Sequence, residues 1–378
     1  MILFMVWLLW LQTSVTVSAE EADLKLYARS ALLMDAGSGR VLYEENGYEV
    51  MPMASTTKIM TCILALESDR LDEYVSVSRN AQGQPKVRLG IKEGETYKLG
   101  DLLYSLMLES HNDVAVAIAE HLGGSVDGFA DMMNAKAAKL GCENTFFVTP
   151  NGLDASKDGK PHGSTAYDMA LITAYALQNE DFCKIISTGS YSFTEEKGQK
   201  QYTVYNKDAF LNMYEGAIGV KTGFTNGAGY CFVGAVKQGD ATFVSVVLAS
   251  GWPPHKSWKW TDTKTLMNYG TENFFYEEYI GSNEYGTIKV EDGVKEEVGL
   301  TIQREKVGML LQQNEEIVAE YELAERINAP VEKGQIVGYE RYVLNGEILA
   351  EFPIRTDENA DKITLWYWFG KIVEKFLI

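Results

Sequence analysis

The chain has 378 residues, of which 46% are hydrophobic and 23% charged, a composition typical of a globular protein that buries a large core. This length predicts roughly two domains. The formal net charge of −19 argues against nucleic-acid binding, because phosphates are bound by clustered lysine and arginine side chains, and no basic stripe is present.

The first 19 residues predict a secretory signal peptide. An apolar run over residues 1–11 is followed by small and polar residues that end in Val17-Ser18-Ala19, which is the pattern of a signal-peptidase site. We expect cleavage after Ala19. No lysine or arginine precedes the apolar run, so an uncleaved membrane anchor is the alternative. In either case the body of the protein is expected on the outer face of the cytoplasmic membrane or in the cell wall.

Strands and helices alternate in the next part of the chain. Residues 30–35 and 40–43 predict a β-hairpin, because a glycine- and serine-rich turn separates two apolar runs. Residues 59–66 are apolar on nearly every face, which predicts a helix buried inside a domain. Further helices are expected at 96–108, 114–121, 129–140, 169–177 and 258–275, and adjacent strands at 230–236 and 241–249.

The character of the sequence changes near residue 282. Short β-prone runs alternate with glycine turns over residues 286–355, which predicts a small all-β domain. The last segment, residues 363–378, is aromatic and amphipathic but shorter than the roughly 20 residues that a membrane span needs. We expect it to lie in the membrane interface, and the alternative is a helix packed on the protein itself. The predicted divisions are 1–19, 20–281, 282–356 and 357–378.

Ser55 and Lys58 are the first candidate catalytic pair. Spaced at i and i+3, they lie on one face of a helix, so the lysine amine comes within reach of the serine hydroxyl. A serine hydroxyl is a weak nucleophile until a base takes its proton, and a desolvated lysine can be that base. An isolated Ser-x-x-Lys is common, so the pair needs support from other motifs.

Two further motifs follow in a fixed order. Ser110 and Asn112 lie between predicted helices, and Lys221-Thr222-Gly223 lies on a predicted strand. The ordered set resembles the serine penicillin-recognising enzymes, which are the penicillin-binding proteins and serine β-lactamases. Local sequence narrows the resemblance to the low-molecular-mass D-alanyl-D-alanine carboxypeptidases. The segments that carry it are Asp35-Ala36-Gly37-Ser38-Gly39, Pro150-Asn151-Gly152-Leu153, His162-Gly163-Ser164-Thr165-Ala166 and Lys221-Thr222-Gly223-Phe224-Thr225.

This resemblance covers nearly the whole chain after residue 19. It implies an α/β (α+β) fold with two domains: a β-lactamase-like catalytic domain, whose central antiparallel sheet is flanked by helices, and a small all-β domain after it. It also implies the substrate, a peptidoglycan stem peptide ending in D-Ala-D-Ala, and acylation by β-lactams, which mimic that end.

The chemistry of each side chain suggests its role. Ser55 forms an acyl-enzyme, Lys58 takes its proton, and Ser110 relays a proton to the leaving amine. Asn112 can hydrogen-bond the substrate amide. Lys221 and Thr222 can bind a terminal carboxylate, and Gly223 lets the substrate backbone approach closely.

Two assignments come from the resemblance alone. It places the oxyanion between the backbone N–H groups of Ser55 and Phe224, and it puts Lys207 where the family often has an arginine near the carboxylate. His111, inside the second motif, departs from the small residue that is familiar there. We expect His111 and His162 to have structural roles.

Two other functions remain possible at this stage. A class A β-lactamase would need a glutamate with asparagine four residues later between the second and third motifs, and none is present. A non-catalytic penicillin sensor or cell-wall-binding protein would not need Lys58. No metal site or cofactor is expected, because the four histidines lack zinc-binding spacing. The four cysteines are expected to be free thiols, and Cys62 and Cys231, which lie in apolar runs, are expected to be buried.

Overall fold

The computed structural model describes residues 23–376. Its strands are β1 (Ser30–Asp35), β2 (Val41–Glu45), β3 (Tyr74–Ser76), β4 (Thr96–Lys98), β5 (Ser156–Lys157), β6 (Lys160–Pro161), β7 (Ser190–Thr194), β8 (Gln201–Tyr205), β9 (Ala217–Thr225), β10 (Gly229–Gln238), β11 (Ala241–Leu248), β12 (Phe274–Tyr279), β13 (Thr287–Glu291), β14 (Glu297–Ile302), β15 (Val307–Gln312), β16 (Val318–Leu323), β17 (Arg326–Asn328), β18 (Ile336–Leu344) and β19 (Glu347–Thr356).

The helices are mostly in the first two thirds of the chain. They are α1 (Lys58–Leu66), α2 (Arg79–Gln82), α3 (Leu99–Tyr104), α4 (Asn112–Gly123), α5 (Val126–Lys139), α6 (Ala166–Ala176), α7 (Glu180–Ser187), α8 (Trp258–Asn273) and α9 (Leu365–Phe376). Short 3-10 helices cover Ala54–Thr57 and Ala209–Asn212, and a π-helix covers Ser105–Glu109.

A five-stranded antiparallel sheet in the order β2-β1-β11-β10-β9 forms the centre of the first part, and it confirms the predicted fold class. Alternate side chains of a strand point to opposite faces, and both faces of this sheet are covered. Leu32 and Met34 pack into one hydrophobic cluster with α1 and α4, whereas Ala31 and Leu33 pack into another with α8. Strand β9 lies at an edge, which leaves one of its sides open.

Helix α1 lies in the middle of the helical layer, as its all-round apolar sequence predicts. Every residue from Lys58 to Ala65 is buried, and the helix contacts α3, α4, α5, α6 and α7. Most of its residues are apolar, so this burial is favourable. Lys58 is the ionisable exception, a buried amine at the first position of the helix.

Two predicted helices lose terminal residues to strands in the structure. Residues 96–98 form β4 instead of a helix, because Tyr97 pairs with Val75 of β3 and its side chain is fully buried. Helix α8 ends at Asn273, two residues earlier than predicted. The aromatic residues Phe274 and Phe275 that follow are strongly β-prone, and they start β12, which pairs with β15.

The C-terminal part is β-rich, as predicted. Six strands form a sheet in the order β16-β18-β19-β14-β13-β17, in which only β13 and β17 pair in parallel among the pairings described for residues 23–376. Ile288, Val298 and Ile354 belong to its hydrophobic core. Strand β12, before residue 282, pairs with β15, after it, so hydrogen bonds cross the predicted boundary at 281/282. That boundary stays a prediction.

The hairpin β1–β2 also contacts the β-rich part directly. The Arg40 guanidinium donates to the carbonyl oxygen of Leu310 (2.8 Å) and to Glu315 (2.5 Å). A carboxylate oxygen of Asp35 accepts from the backbone N–H of Leu310 at 3.0 Å and from Ser38 Oγ at 2.6 Å. The Asp35–Arg40 turn therefore fixes the junction between the two parts.

Helix α9 has no buried side chain. Leu365, Trp366 and Phe376 are 89%, 81% and 84% exposed. None of the helices within residues 23–376 has the length and apolar character that crossing a membrane requires. Residues 1–22, which contain the expected signal peptide, lie outside the described part of the chain.

Candidate active site

Ser55 lies in a tight turn, one residue after a strained backbone position. Ala54 has a φ of +49°, in the left-handed region, and Ser55 sits in the 3-10 helix Ala54–Thr57 that leads into α1. The hydroxyls of Thr56 and Thr57 donate to the carbonyl oxygens of Met53 (2.7 Å) and Ala54 (2.8 Å). These bonds hold the turn, which we call the nucleophile turn (residues 53–57).

Lys58 is fully buried and faces three polar atoms. Its Nζ lies 2.9 Å from Ser55 Oγ, 3.0 Å from Asn112 Oδ1 and 2.6 Å from the carbonyl oxygen of Asn151. The Asn112 amide is oriented by its other end, where Nδ2 donates to the carbonyl oxygen of Pro85 at 3.2 Å. The atom of Asn112 that faces Lys58 is therefore an acceptor.

The surroundings of Lys58 favour its neutral form. Burial lowers the pKa of Lys58 well below its usual range, the positive charge of Lys221 lowers it further, and Asp113 opposes both effects. A neutral amine has two N–H donors and one lone pair. Since Asn112 Oδ1 and the Asn151 carbonyl can only accept, they engage the two N–H groups, and the lone pair is left for the hydroxyl of Ser55.

Ser110 marks the break between the π-helix and α4, as the sequence predicts. It has a φ of +67°, and within the described residues its buried hydroxyl oxygen has no hydrogen-bond partner. The neighbouring His111 is bound by Ser105 Oγ at Nδ1 (2.8 Å), and its Nε2 lies 3.3 Å from a Glu109 carboxylate oxygen. These contacts, and a pKa lowered mainly by burial, favour the structural role expected for His111.

Lys221 lies on the edge strand β9 and is almost fully buried. Its Nζ donates to the carbonyl oxygen of Thr222 at 3.1 Å. Burial lowers the pKa of Lys221 to about 7, Asp208 acts to raise it, and Lys259 acts to lower it. Asp208 is itself buried, and that burial raises its pKa to about 6. The charge state of Lys221 thus depends on two residues that sequence analysis did not select.

Gly223 allows β9 to approach the nucleophile turn. A Cβ at this position would lie 3.1 Å from Ala54 Cβ, from the carbonyl oxygen of Met53 and from the backbone nitrogen of Ser55. Thr222, half-buried, precedes it. Phe224 follows, 38% exposed, with its ring 4.7 Å from that of Tyr230. The edge of β9 therefore borders the serine directly.

The described contacts of Lys207 do not reach the other predicted site residues. Its exposed Nζ lies 3.3 Å from a carboxylate oxygen of Glu109, and its backbone N–H donates to the carbonyl oxygen of Leu108 at 3.1 Å. Within residues 23–376 no hydrogen bond or ion pair joins it to Ser55, Lys58 or Lys221. Its position beside the π-helix keeps it near the segment that carries Ser110, and its role stays a prediction.

The segment Val148–Leu153, which we call the 148–153 loop, supplies a group that sequence analysis missed. Besides Lys58, the Asn151 carbonyl lies 3.3 Å from Ser55 Oγ. Gly152 has a φ of +82°, and a Cβ there would lie 1.9 Å from the carbonyl oxygen of Ala54. A backbone carbonyl leaves no residue-type signal, so only the Pro150-Asn151-Gly152-Leu153 motif pointed to this loop.

A serine beside a desolvated lysine, at the open edge of an antiparallel sheet, is the arrangement of a serine hydrolase that works through an acyl-enzyme. Residues 15–251 match the family model described as D-alanyl-D-alanine carboxypeptidase, and residues 278–362 match the C-terminal domain of penicillin-binding protein 5. The chain belongs to the D-alanyl-D-alanine carboxypeptidase family, which confirms the resemblance.

Similar proteins span both parts of the chain. The D-alanyl-D-alanine carboxypeptidase DacF of Bacillus subtilis is 30% identical over 90% of this chain and 88% of its own length. DacC of Escherichia coli is 32% identical over 92% and 86%. The crystal structure of penicillin-binding protein 5 from Haemophilus influenzae matches with a TM-score of 0.72 at 27% identity, covering 89% of this chain and 98% of that one.

A smaller relative has been solved with an antibiotic bound. Penicillin-binding protein D2 from Listeria monocytogenes, in its ampicillin-bound form, is 32% identical and matches with a TM-score of 0.58 over 66% of this chain and all of that one. Matches to both the catalytic and the C-terminal family models favour a peptidase over the class A β-lactamase alternative.

Proposed function

We propose that this protein is an exported serine D-Ala-D-Ala carboxypeptidase, which removes the terminal D-alanine from peptidoglycan stem peptides through an acyl-enzyme on Ser55. The observation that carries the proposal is the 2.9 Å contact between Ser55 Oγ and the Nζ of a fully buried lysine. Asn112 and Asn151 occupy the other directions around that amine. This arrangement, together with the burial that lowers the pKa of Lys58, supports the proposed role of Lys58 as a base.

Acylation begins when Lys58 takes the proton of Ser55. The oxygen attacks the carbonyl carbon of the penultimate D-alanine, and the negative charge that develops is held by the backbone N–H groups of Ser55 and Phe224. The C–N bond then breaks as a proton passes through Ser110 to the nitrogen of the leaving D-alanine. Water next hydrolyses the ester, which releases the shortened peptide and restores the serine.

Binding of the terminal carboxylate is assigned to β9. The protonated amine of Lys221 and the hydroxyl of Thr222 are the cation and the donor on that edge. Lys207 is proposed as a second cation, nearer to the rim of the site. Gly223 and Phe224 supply backbone that the substrate can follow along the edge strand. β-Lactams present the same carboxylate and carbonyl, so we propose that they acylate Ser55.

The experiment uses the full chain with two probes: a diacetylated tripeptide ending in D-Ala-D-Ala, and a fluorescent penicillin. We expect release of D-alanine and one labelled site per chain, with both lost in Ser55→Ala. Labelling that survives this substitution, or the absence of both activities in the wild type, would overturn the proposal. Rapid turnover of penicillin without D-alanine release would instead identify a β-lactamase.

We further propose that α9 binds the protein to a membrane surface. Its Trp366, Phe369 and Phe376 side chains are exposed. Exposure of several large aromatic groups to water is unfavourable, whereas their burial in a membrane interface is favourable. The test is sedimentation with phospholipid vesicles of the full chain, of a form ending at residue 362, and of Trp366→Ser/Phe369→Ser. We expect only the full chain to sediment. Sedimentation of all three forms would contradict the proposal.

A further inference from the structure

The 148–153 loop is attached to the nucleophile turn by a buried histidine. His162 Nδ1 accepts from the backbone N–H of Val148 at 2.9 Å and lies 3.4 Å from that of Thr149. An atom that accepts backbone N–H groups carries no proton. Nε2 therefore carries the ring hydrogen and donates it to Thr57 Oγ1 at 2.9 Å.

The same chain of hydrogen bonds continues to the residue before the nucleophile. Thr57 Oγ1 donates to the carbonyl oxygen of Ala54 at 2.8 Å. The links from Val148 through His162 and Thr57 to Ala54 are thus oriented in one direction, with each donor matched to an acceptor. Ala54 is the strained position, so its carbonyl orientation determines the direction in which the chain enters Ser55.

The other end of the loop makes contact with Lys58. Asn151 follows Val148 by three residues, and its carbonyl oxygen accepts from Lys58 Nζ at 2.6 Å. Thr61 Oγ1 donates to the Pro150 carbonyl at 2.7 Å, which anchors the loop to α1 but does not orient the nucleophile turn. The Asn151 end of the loop also meets the turn through Ser55 Oγ and Lys58 Nζ. Among the described contacts, His162 is the side chain that joins the Val148 end of the loop to Thr57 of the turn.

We propose that His162 is a positioning residue for acylation, which fixes the Asn151 carbonyl against Lys58 and the Ala54 carbonyl behind Ser55. This positioning role rests on the proposed formation of an acyl-enzyme at Ser55. His162 lies behind the turn and is buried, so it orients the reacting groups rather than contacting the substrate. Burial lowers the pKa of His162 to about 4, and so the neutral ring and its hydrogen-bond directions persist at neutral pH.

The test separates the binding of penicillin from the chemical step. With a fluorescent penicillin, one measures the dissociation constant of the first complex and the limiting acylation rate, each per labelled site. We expect His162→Leu, which has neither hydrogen bond, to lower the limiting rate by about 10- to 100-fold and to change the dissociation constant by less than about twofold, because small displacements of reacting groups slow chemistry.

Variants that keep one of the two His162 hydrogen bonds should have intermediate acylation rates. His162→Gln can still donate to Thr57, and His162→Asn can still accept from Val148, so both should fall between wild type and His162→Leu. Thr57→Val breaks the second link, and its effect should be non-additive with that of His162→Leu. His121→Leu is the matched control, because it also removes histidine hydrogen bonds, to Arg70 and Glu73, but away from the site. Its rate should equal that of the wild type.

The outcomes are distinct. A wild-type acylation rate per site in His162→Leu, even with a lowered melting temperature, overturns the positioning role while the proposed function stands. If His162→Leu does not fold, the other two variants decide. Wild-type acylation rates in both His162→Gln and His162→Asn overturn the positioning role. A loss of about fivefold or more in the acylation rate of either variant supports that role. If the wild type itself is neither labelled nor active, the proposed function fails and the positioning role fails with it.

Discussion

The carbonyl oxygen of Asn151 lies 2.6 Å from Nζ of Lys58, across a sequence separation of 93 residues. With Asn112 Oδ1 it accounts for both N–H groups of a neutral amine. When Lys58 is neutral, these two acceptors, which come from different parts of the chain, leave its lone pair for the proton of Ser55. The proposed role of Lys58 as a base therefore depends on Asn112 and Asn151 as well as on the lysine itself.

Lys58→Arg should abolish acylation in the folded protein. A guanidinium remains charged at all accessible pH values and has no lone pair for the Ser55 proton. We expect the limiting rate of penicillin acylation to fall by at least about 10³-fold, the upper part of the range for loss of a general base. The control is Lys264→Arg, on α8 and outside the site. Substantial acylation in Lys58→Arg would show that another group is the base.

The ratio kcat/KM should have two limbs against pH. On the acidic side activity falls as Lys58 becomes protonated, at a pH well below the usual range for lysine. On the alkaline side binding of the substrate carboxylate requires protonated Lys221, whose pKa is about 7, so kcat/KM should fall as pH rises above about 7. The measurement is D-alanine release from the tripeptide over a range of buffers. A ratio that stays level well above pH 7 would exclude Lys221 as the titrating group.

Asp208→Asn should move the alkaline limb to lower pH. The Asp208 carboxylate acts to raise the pKa of Lys221, so its neutral analogue favours deprotonation of the lysine. At pH 7 the variant should bind the carboxylate substrate more weakly, with a higher KM and a smaller change in kcat. An unchanged alkaline limb would show that Asp208 does not set the charge of Lys221.

Gly152→Ala should destabilise the protein more than Gly159→Ala. Both glycines have similar positive φ, +82° and +78°, so both substitutions carry the same backbone penalty of about 1 kcal/mol. A Cβ at Gly152 would also lie 1.9 Å from the Ala54 carbonyl oxygen, whereas one at Gly159 has no atom within 4 Å. Chemical denaturation should give an additional loss of about 2 kcal/mol for Gly152→Ala. Equal losses would mean that the loop can move away from the turn.

Arg40→Met should weaken the junction between the two parts of the protein. The substitution leaves Glu315, a largely buried carboxylate, without its cation, which costs about 3 kcal/mol. We expect a lower melting temperature and an unchanged penicillin acylation rate at 25 °C. Arg326→Met, which breaks an exposed pair with Glu291, should have little effect. Equal effects of the two substitutions would argue against a structural role for the junction.

Much of the fold could be predicted because its patterns are local. The turn-separated hairpin and the all-round apolar α1 both depend on neighbouring residues. The misplaced limits of the helix at 96–108 and of α8 have a non-local cause. In both cases pairing with a distant strand, β3 or β15, overrides the local helical pattern.

The sequence by itself determined the family and predicted the reactive side chains, because Ser55, Lys58, Ser110, Asn112 and Lys221 occur in motifs of fixed order and spacing. Only the tertiary structure decided the hydrogen-bond partners and the pKa values of those groups. A backbone carbonyl such as that of Asn151 has no residue-type signature, and the pKa values of Lys58 and Lys221 depend on burial and on charges brought close by folding. The position of His162 between loop and turn has the same origin, since hydrogen-bond direction is a property of packed atoms in three dimensions.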